Sequence, residues 1–113
     1  RKLVESVRDR TIRSCDLNVR PGAGTLIARR WREPGDPSAA ARVVVPDSVD
    51  ETVFFLLNAI DQGLLKIQYV ADDGVTVDLG EEGEGELAGW YVGPDGWRDR
   101  YSKERHFEFA DNG

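Results

Sequence analysis

The sequence predicts an α+β domain, with one central amphipathic helix over about residues 49–62 packed on a mostly antiparallel sheet of five to seven strands. Three observations carry that prediction. Apolar residues recur at helical spacing between Val49 and Ile60, between a start signal and a closing glycine. Residues 64–79 alternate apolar and polar around a tight turn, and residues 87–101 repeat that alternation around a second turn. At 113 residues, 40% hydrophobic and 9% aromatic, the chain fits a single domain, 1–113, with apolar content for one core.

In chain order, Arg1 to Thr11 places Leu3, Val4 and Val7 on one face and predicts a short N-terminal helix. Thr11 to Val19 reads as a weak strand, ending at the turn Arg20-Pro21-Gly22-Ala23-Gly24. Thr25 to Arg32 is a stronger strand candidate. Glu33-Pro34-Gly35-Asp36-Pro37-Ser38 is a loop, because two prolines interrupt a ladder. Ala41 to Val45 then returns as a β-rich run, closing a long-looped hairpin with 25–32.

The central helix has a start signal in Ser48 and Glu51, spaced as a capping box. Asp47 and Asp50 add negative charge where the helix macrodipole favours it, and Gly63 supplies the C-terminal glycine. Val49, Val53, Leu56, Leu57 and Ile60 form one stripe. In the hairpin that follows, Leu65, Ile67 and Tyr69 face one way, as do Val75, Val77 and Leu79. The two sets share a face only across a loop of odd length. Asp72-Asp73-Gly74 provides one, which pairs Tyr69 with Val77. The second hairpin joins Leu87–Val92 to Trp97–Tyr101 through Gly93 and Pro94-Asp95-Gly96, with Gly96 in the left-handed position. Phe107 and Phe109, alternating with His106 and Glu108, predict a short closing strand.

Composition excludes several function classes. No apolar run approaches the ~18 residues of a membrane span; the longest is Val53 to Leu57. No signal peptide opens the chain, although its first residue, Arg1, implies a trimmed start. One cysteine, Cys15, and one histidine, His106, exclude an intrachain disulfide and the common Cys/His metal centres. Cytoplasmic residence is the default expectation, and twelve Arg against three Lys point to a GC-rich bacterial genome. Residues 1–45 carry ten basic and five acidic residues, whereas residues 46–113 carry five and sixteen. Either the halves intermingle in the fold, or the surface is bipolar and steers a charged partner. The net charge of −6 argues against general nucleic-acid binding.

Candidate sites each have a plain alternative. Phe54 and Phe55 lie off the central stripe, so they contact a partner or second copy, or are wrapped by other elements. Asp72 to Glu86 holds seven acids and no base. It lacks the EF-hand pattern, and reads as a solvated loop or a docking surface for a basic partner. Arg29, Arg30, Trp31 and Arg32 suit nucleic-acid stacking, but a lone Trp there is more often core. Tyr101, Glu104, His106 and Glu108 are the best catalytic grouping, yet His106 falls on the face opposite the phenylalanines. Cys15 as a nucleophile would need that histidine nearby. The phosphate cradle of a glycine loop is excluded because the loop carries no Lys and opens no helix.

These readings lead to a non-catalytic, adaptor- or inhibitor-like module without cofactor or metal that binds another protein, one with a basic surface. Glu81, Glu82, Glu84, Glu86, Trp90, Tyr91 and Trp97 form its contact surface, with Phe54 and Phe55 as further contact residues. The alternatives are a small enzyme or ligand-binding domain with a pocket between helix and sheet, and a self-associating structural domain.

Overall fold

A computed structural model of the chain describes residues 1–107. It is mostly helical, with 62% of the described residues in helices, and its only sheet among them has two strands. The N-terminal helix begins with a π-wound segment, Val4–Arg8, and continues as α1, Asp9–Val19. Then come α2, Leu26–Arg32; α3, Pro37–Asp61; the hairpin β1, Gln68–Val70, and β2, Thr76–Asp78; and three short helices, α4, Leu79–Gly83, α5, Leu87–Val92, and α6, Trp97–Tyr101. The expected sheet of five to seven strands is therefore overturned.

Four segments read as strands are helical, each for a local reason. In 11–19, the Thr11 hydroxyl donates to the Val7 carbonyl at 2.7 Å, so a β-branched residue is accommodated by bonding back into the preceding turn. In 25–32, Thr25 is an N-cap whose hydroxyl accepts from Ala28 N at 3.0 Å. Arg29, Arg30 and Arg32 then sit in the last turn, where the helix dipole favours cations. The β-rich run 41–45 lies inside α3, which starts at Asp36 and Pro37 rather than at Ser48. Asp36 accepts from Ala39 N at 3.0 Å and Pro37 occupies the first turn. Against such a start, the ~0.5 kcal/mol helix penalty of each Val is a small term.

The fourth segment, 87–101, is not a hairpin but two helices joined by residues 93–96. Asp95, not Gly96, takes the left-handed conformation, at φ +57°. Gly96 is needed for close approach: a Cβ there would lie 2.4 Å from the Trp90 carbonyl oxygen. Of the closing strand, Phe107 lies outside any strand, and Glu108 and Phe109 fall outside the described residues.

The first hairpin keeps the expected register but is shorter than the expected 64–79: its strands cover 68–70 and 76–78, and Leu65 and Ile67 lie outside them. Tyr69 pairs with Val77, and Gln68 with Asp78, antiparallel. Gly74 takes φ +85° and its amide donates to the Ala71 carbonyl at 2.8 Å, the left-handed turn position only glycine fills without strain. Leu79, expected at the end of this strand, begins α4 instead, where the Asp78 carboxylate accepts from Glu81 N at 3.1 Å.

The buried apolar residues are Val7, Ala28, Trp31, Ala59, Ile60, Leu87 and Ala88. They come from the N-terminal helix, α2, α3 and α5, so α3 is the axis on which the other helices dock. Three are alanines, which let helix backbones approach closely but bury little area. Leu3 and Val4, expected on the buried face with Val7, are exposed, because the π-wound turn breaks the 3.6-residue period. Val49, expected on the inward stripe of α3, is exposed too, and Asp47 is buried instead. The end of α3 is joined to α5 through Asp61, whose carboxylate accepts from Leu87 N and Ala88 N, each at 3.0 Å.

Candidate functional site

Asp47, Asp50 and Glu51 stand at i, i+3 and i+4 on α3 and so share one face. They lie in mid-helix, not at its start, and each receives a different element. Asp47 Oδ2 accepts from Trp31 Nε1 at 2.8 Å and Arg30 Nη1 at 2.7 Å, both on α2. Asp50 accepts from the Tyr91 hydroxyl of α5 at 2.7 Å and from Arg98 Nη1 of α6 at 3.0 Å. Glu51 accepts from the Ser14 hydroxyl of α1, and from Cys15 Sγ at 3.3 Å. Arg98 also donates through Nη2 to the Phe107 carbonyl at 3.0 Å, drawing the segment after α6 onto the same cluster.

These contacts shift two groups. Burial, reinforced by the Asp50 carboxylate that holds its proton, pushes the Tyr91 phenol up to about 12. Burial also raises the Cys15 thiol; the negative Glu51 beside it adds to this, while Ser48 opposes it. Cys15 is therefore held as a thiol, the unreactive form.

Above the cluster opens a cleft of about 310 Å³, walled by Leu26, Ile27, Phe54, Val92 and Phe107, with Asp47, Asp50, Glu51 and Arg98 among its lining. Two buried polar atoms, Asp47 Oδ1 and Arg98 Nε, have no hydrogen-bond partner among the described residues. Their side chains are only 4% and 6% exposed. An unsatisfied buried group costs about 1–3 kcal/mol, more when charged, a cost that the other hydrogen bonds of Asp47 and Arg98 offset.

The residues expected at a contact surface are distributed over three places. Trp90 and Trp97 lie together on the outside of α5 and α6, with ring centroids 5.9 Å apart in edge-to-face contact, and they remain 43% and 37% exposed. Gly89, Pro94, Asp95, Gly96 and Arg100 complete a shallow groove around them. Glu81, Glu82, Glu84 and Glu86 are all exposed. Glu86 caps α5 one turn before Trp90, so it stands on the tryptophan side of that helix. Tyr91 instead turns inward to Asp50. Phe54 and Phe55 are half-buried and in edge-to-face contact at 5.6 Å; Phe54 lines the cleft, and Arg10 of α1 covers Phe55 at 4.5 Å.

The catalytic candidates do not assemble. His106 lines a second cleft with Asp50, Tyr91 and Glu104, but both its ring nitrogens are engaged, Nε2 by Asp99 at 2.9 Å and Nδ1 by the Glu104 carbonyl at 3.3 Å. Cys15 is held by Ser48 and Glu51. Tyr101 is exposed, and Trp31 is buried on Asp47, out of reach of a nucleobase. Among the described residues, no group of three or more His, Cys, Asp or Glu is arranged to hold a metal, and no helix is long and apolar enough to cross a membrane.

Sequence reasoning missed the cleft and its key residues. Asp47 and Asp50 were legible only as helix-dipole acids, and Arg98 only as part of the expected Trp97–Tyr101 strand. The available signal was the i, i+3, i+4 spacing of three carboxylates inside a helix started by Asp36-Pro37. Comparisons with protein-family models, curated proteins and solved structures return no match to this chain.

Proposed function

We propose that this chain is a non-catalytic protein-binding module whose contact surface is the Trp90–Trp97 pair, with the exposed Glu81, Glu82, Glu84 and Glu86 of the preceding segment as its acidic part. The observation that carries the reading is the pair itself: two large aromatic rings in mutual contact yet more than a third exposed. Burying such rings against water is what anchors an interface hot spot. The neighbouring acids would add electrostatic steering toward a basic partner, a contribution that weakens with salt. Tyr91, Phe54 and Phe55 are left out of this surface because each is engaged inside the fold.

The test is a parallel capture from lysate of the source cell with three baits: the wild type, Trp90→Ala, and a variant with Glu81, Glu82, Glu84 and Glu86 changed to Gln. The proposal expects one stoichiometric partner on the wild type, released by salt. Trp90→Ala should weaken it by roughly 30-fold, the ~2 kcal/mol scale of a hot-spot residue. The Gln variant should lose the salt dependence. Equal capture by all three baits at unchanged helicity, or no partner at all, overturns the proposal.

A further inference from the structure

We infer that β1 pairs with β1 of a second copy of this chain, joining the two hairpins into one antiparallel sheet about a two-fold axis. The bonded pairs of the hairpin fall on odd-numbered residues. Leu79 N donates to the Ile67 carbonyl at 3.0 Å and Ala71 N to the Val75 carbonyl at 2.9 Å, in the register that opposes Tyr69 to Val77. The backbone N–H and C=O groups of Gln68 and Val70 therefore turn away from β2 and form an open edge. Among the described residues β1 is bonded to no strand but β2, and residues 66–70 are all exposed. The β2 side is less open, since Asp78 is half-buried and caps α4. A lone two-stranded hairpin is marginal in water, and further strands on its edge stabilise it.

Charge complementarity selects the occupant and the register. An axis at Tyr69 makes Gln68 exchange backbone bonds with Val70 of the second copy and stands the two Tyr69 rings opposite each other. It also brings Lys66 of each copy opposite Asp72 of the other. Moving the axis to Gln68 or Val70 keeps the backbone bonds but sets Lys66 opposite Val70 or Gly74, and both ion pairs are lost. Lys66 is available because its present contact, to Asp78 at 3.6 Å, is loose and exposed. The Asp72 carboxylate has no hydrogen bond or ion pair among the described residues. Tyr69 and Val70, 60% and 64% exposed in the single chain, supply the apolar surface that the contact covers. Pairing like edges closes at the dimer, whereas pairing β1 with β2 of the next copy would be open-ended. This edge is separate from the Trp90–Trp97 surface and stands or falls independently of it.

The test is sedimentation equilibrium of the full chain, which reads mass against concentration. The wild type should reach the dimer mass below about 1 mM chain. Val70→Pro removes an amide of the outer edge without touching a bond to β2, and should be monomeric with helicity unchanged. Lys66→Glu and Asp72→Lys should each weaken the dimer about tenfold or more, because like charges then face each other. Mixed in equal amounts, these two variants should pair with one another, since each meets its opposite charge across the axis. A wild type that stays monomeric overturns the inference and leaves the edge to water or to a strand of another protein. A dimer that survives Val70→Pro overturns it too, and moves the contact to another face. So does a mixture of the two charge variants that dimerises no better than either alone.

Discussion

The Nε–H of Arg105 donates to the backbone carbonyl oxygen of Arg42 across 2.7 Å, at the level of α3 where Pro46 has no amide to fill it. A proline inside a helix removes the bond to the carbonyl four residues earlier, and for Pro46 that carbonyl belongs to Arg42. A side chain 63 positions along the chain supplies the missing donor. The proline and the segment after α6 are thus linked.

That link predicts a coupling. Arg105→Ala should destabilise the chain by about 1 kcal/mol, the worth of one partly exposed hydrogen bond. In a Pro46→Ala background, where the helix amide returns, the same change should cost much less. Urea unfolding of the four proteins of this double-mutant cycle measures it; equal costs in both backgrounds would sink the idea.

Asp50 is the only carboxylate that meets Arg98, among the described residues, and Arg98 is buried. Asp50→Ala should cost about 3–5 kcal/mol, because it strands a buried guanidinium. Removing both charges together, with Asp50→Leu and Arg98→Met, should cost less than Asp50→Ala alone. Denaturant midpoints decide the order.

Tyr91 predicts a loss of stability in alkali. Its phenol titrates near 12 in the fold against 10.0 unperturbed. Below pH 10 both states hold the proton and the contribution is fully present. Between 10 and 12 the unfolded chain releases it first, so stability falls as pH rises through that window. Tyr91→Phe should flatten this part of the curve of melting temperature against pH. Ultraviolet titration of the wild type should show one phenol ionising late, a step absent from the variant.

Asp61 carries the junction between the end of α3 and the start of α5 by accepting from two backbone amides. Asp61→Ala should cost about 1–2 kcal/mol, as the loss of an N-cap does, and Asp61→Asn should recover part of it. Amide exchange should quicken at Leu87 and Ala88 before it does at Leu56 or Leu57; uniform quickening would argue against a local cap.

The exposed tryptophans and the exposed acids were legible as surface candidates, because large aromatics near turns and unbroken acid runs are read from neighbours alone. Their mutual contact was not, since it depends on 87–92 and 97–101 being helices. Alternating Trp90, Tyr91 and Val92 fit a strand on paper, but Leu87 and Ala88 are buried side by side under α3 with their amides on Asp61. A strand, whose successive side chains point to opposite faces, does not place both there.

By itself the sequence determined the features that arise within a few residues. These are the 68–78 hairpin with its Tyr69–Val77 register and Gly74 turn, and the end of the long helix before Gly63. Such features rest on turn chemistry and period, which are local energies. The tertiary structure decided the rest. The β-branched runs 11–19, 25–32 and 41–45 differ from helix formers by only tenths of a kcal/mol per residue, and capping and docking on α3 outweigh that difference. The inward face of α3 was decided by partners far off in sequence: Trp31 is 16 positions from Asp47, Ser14 is 37 from Glu51, and Arg98 is 48 from Asp50. Contacts at that separation leave no period in the chain, so the cleft they build appears only once the helices are packed.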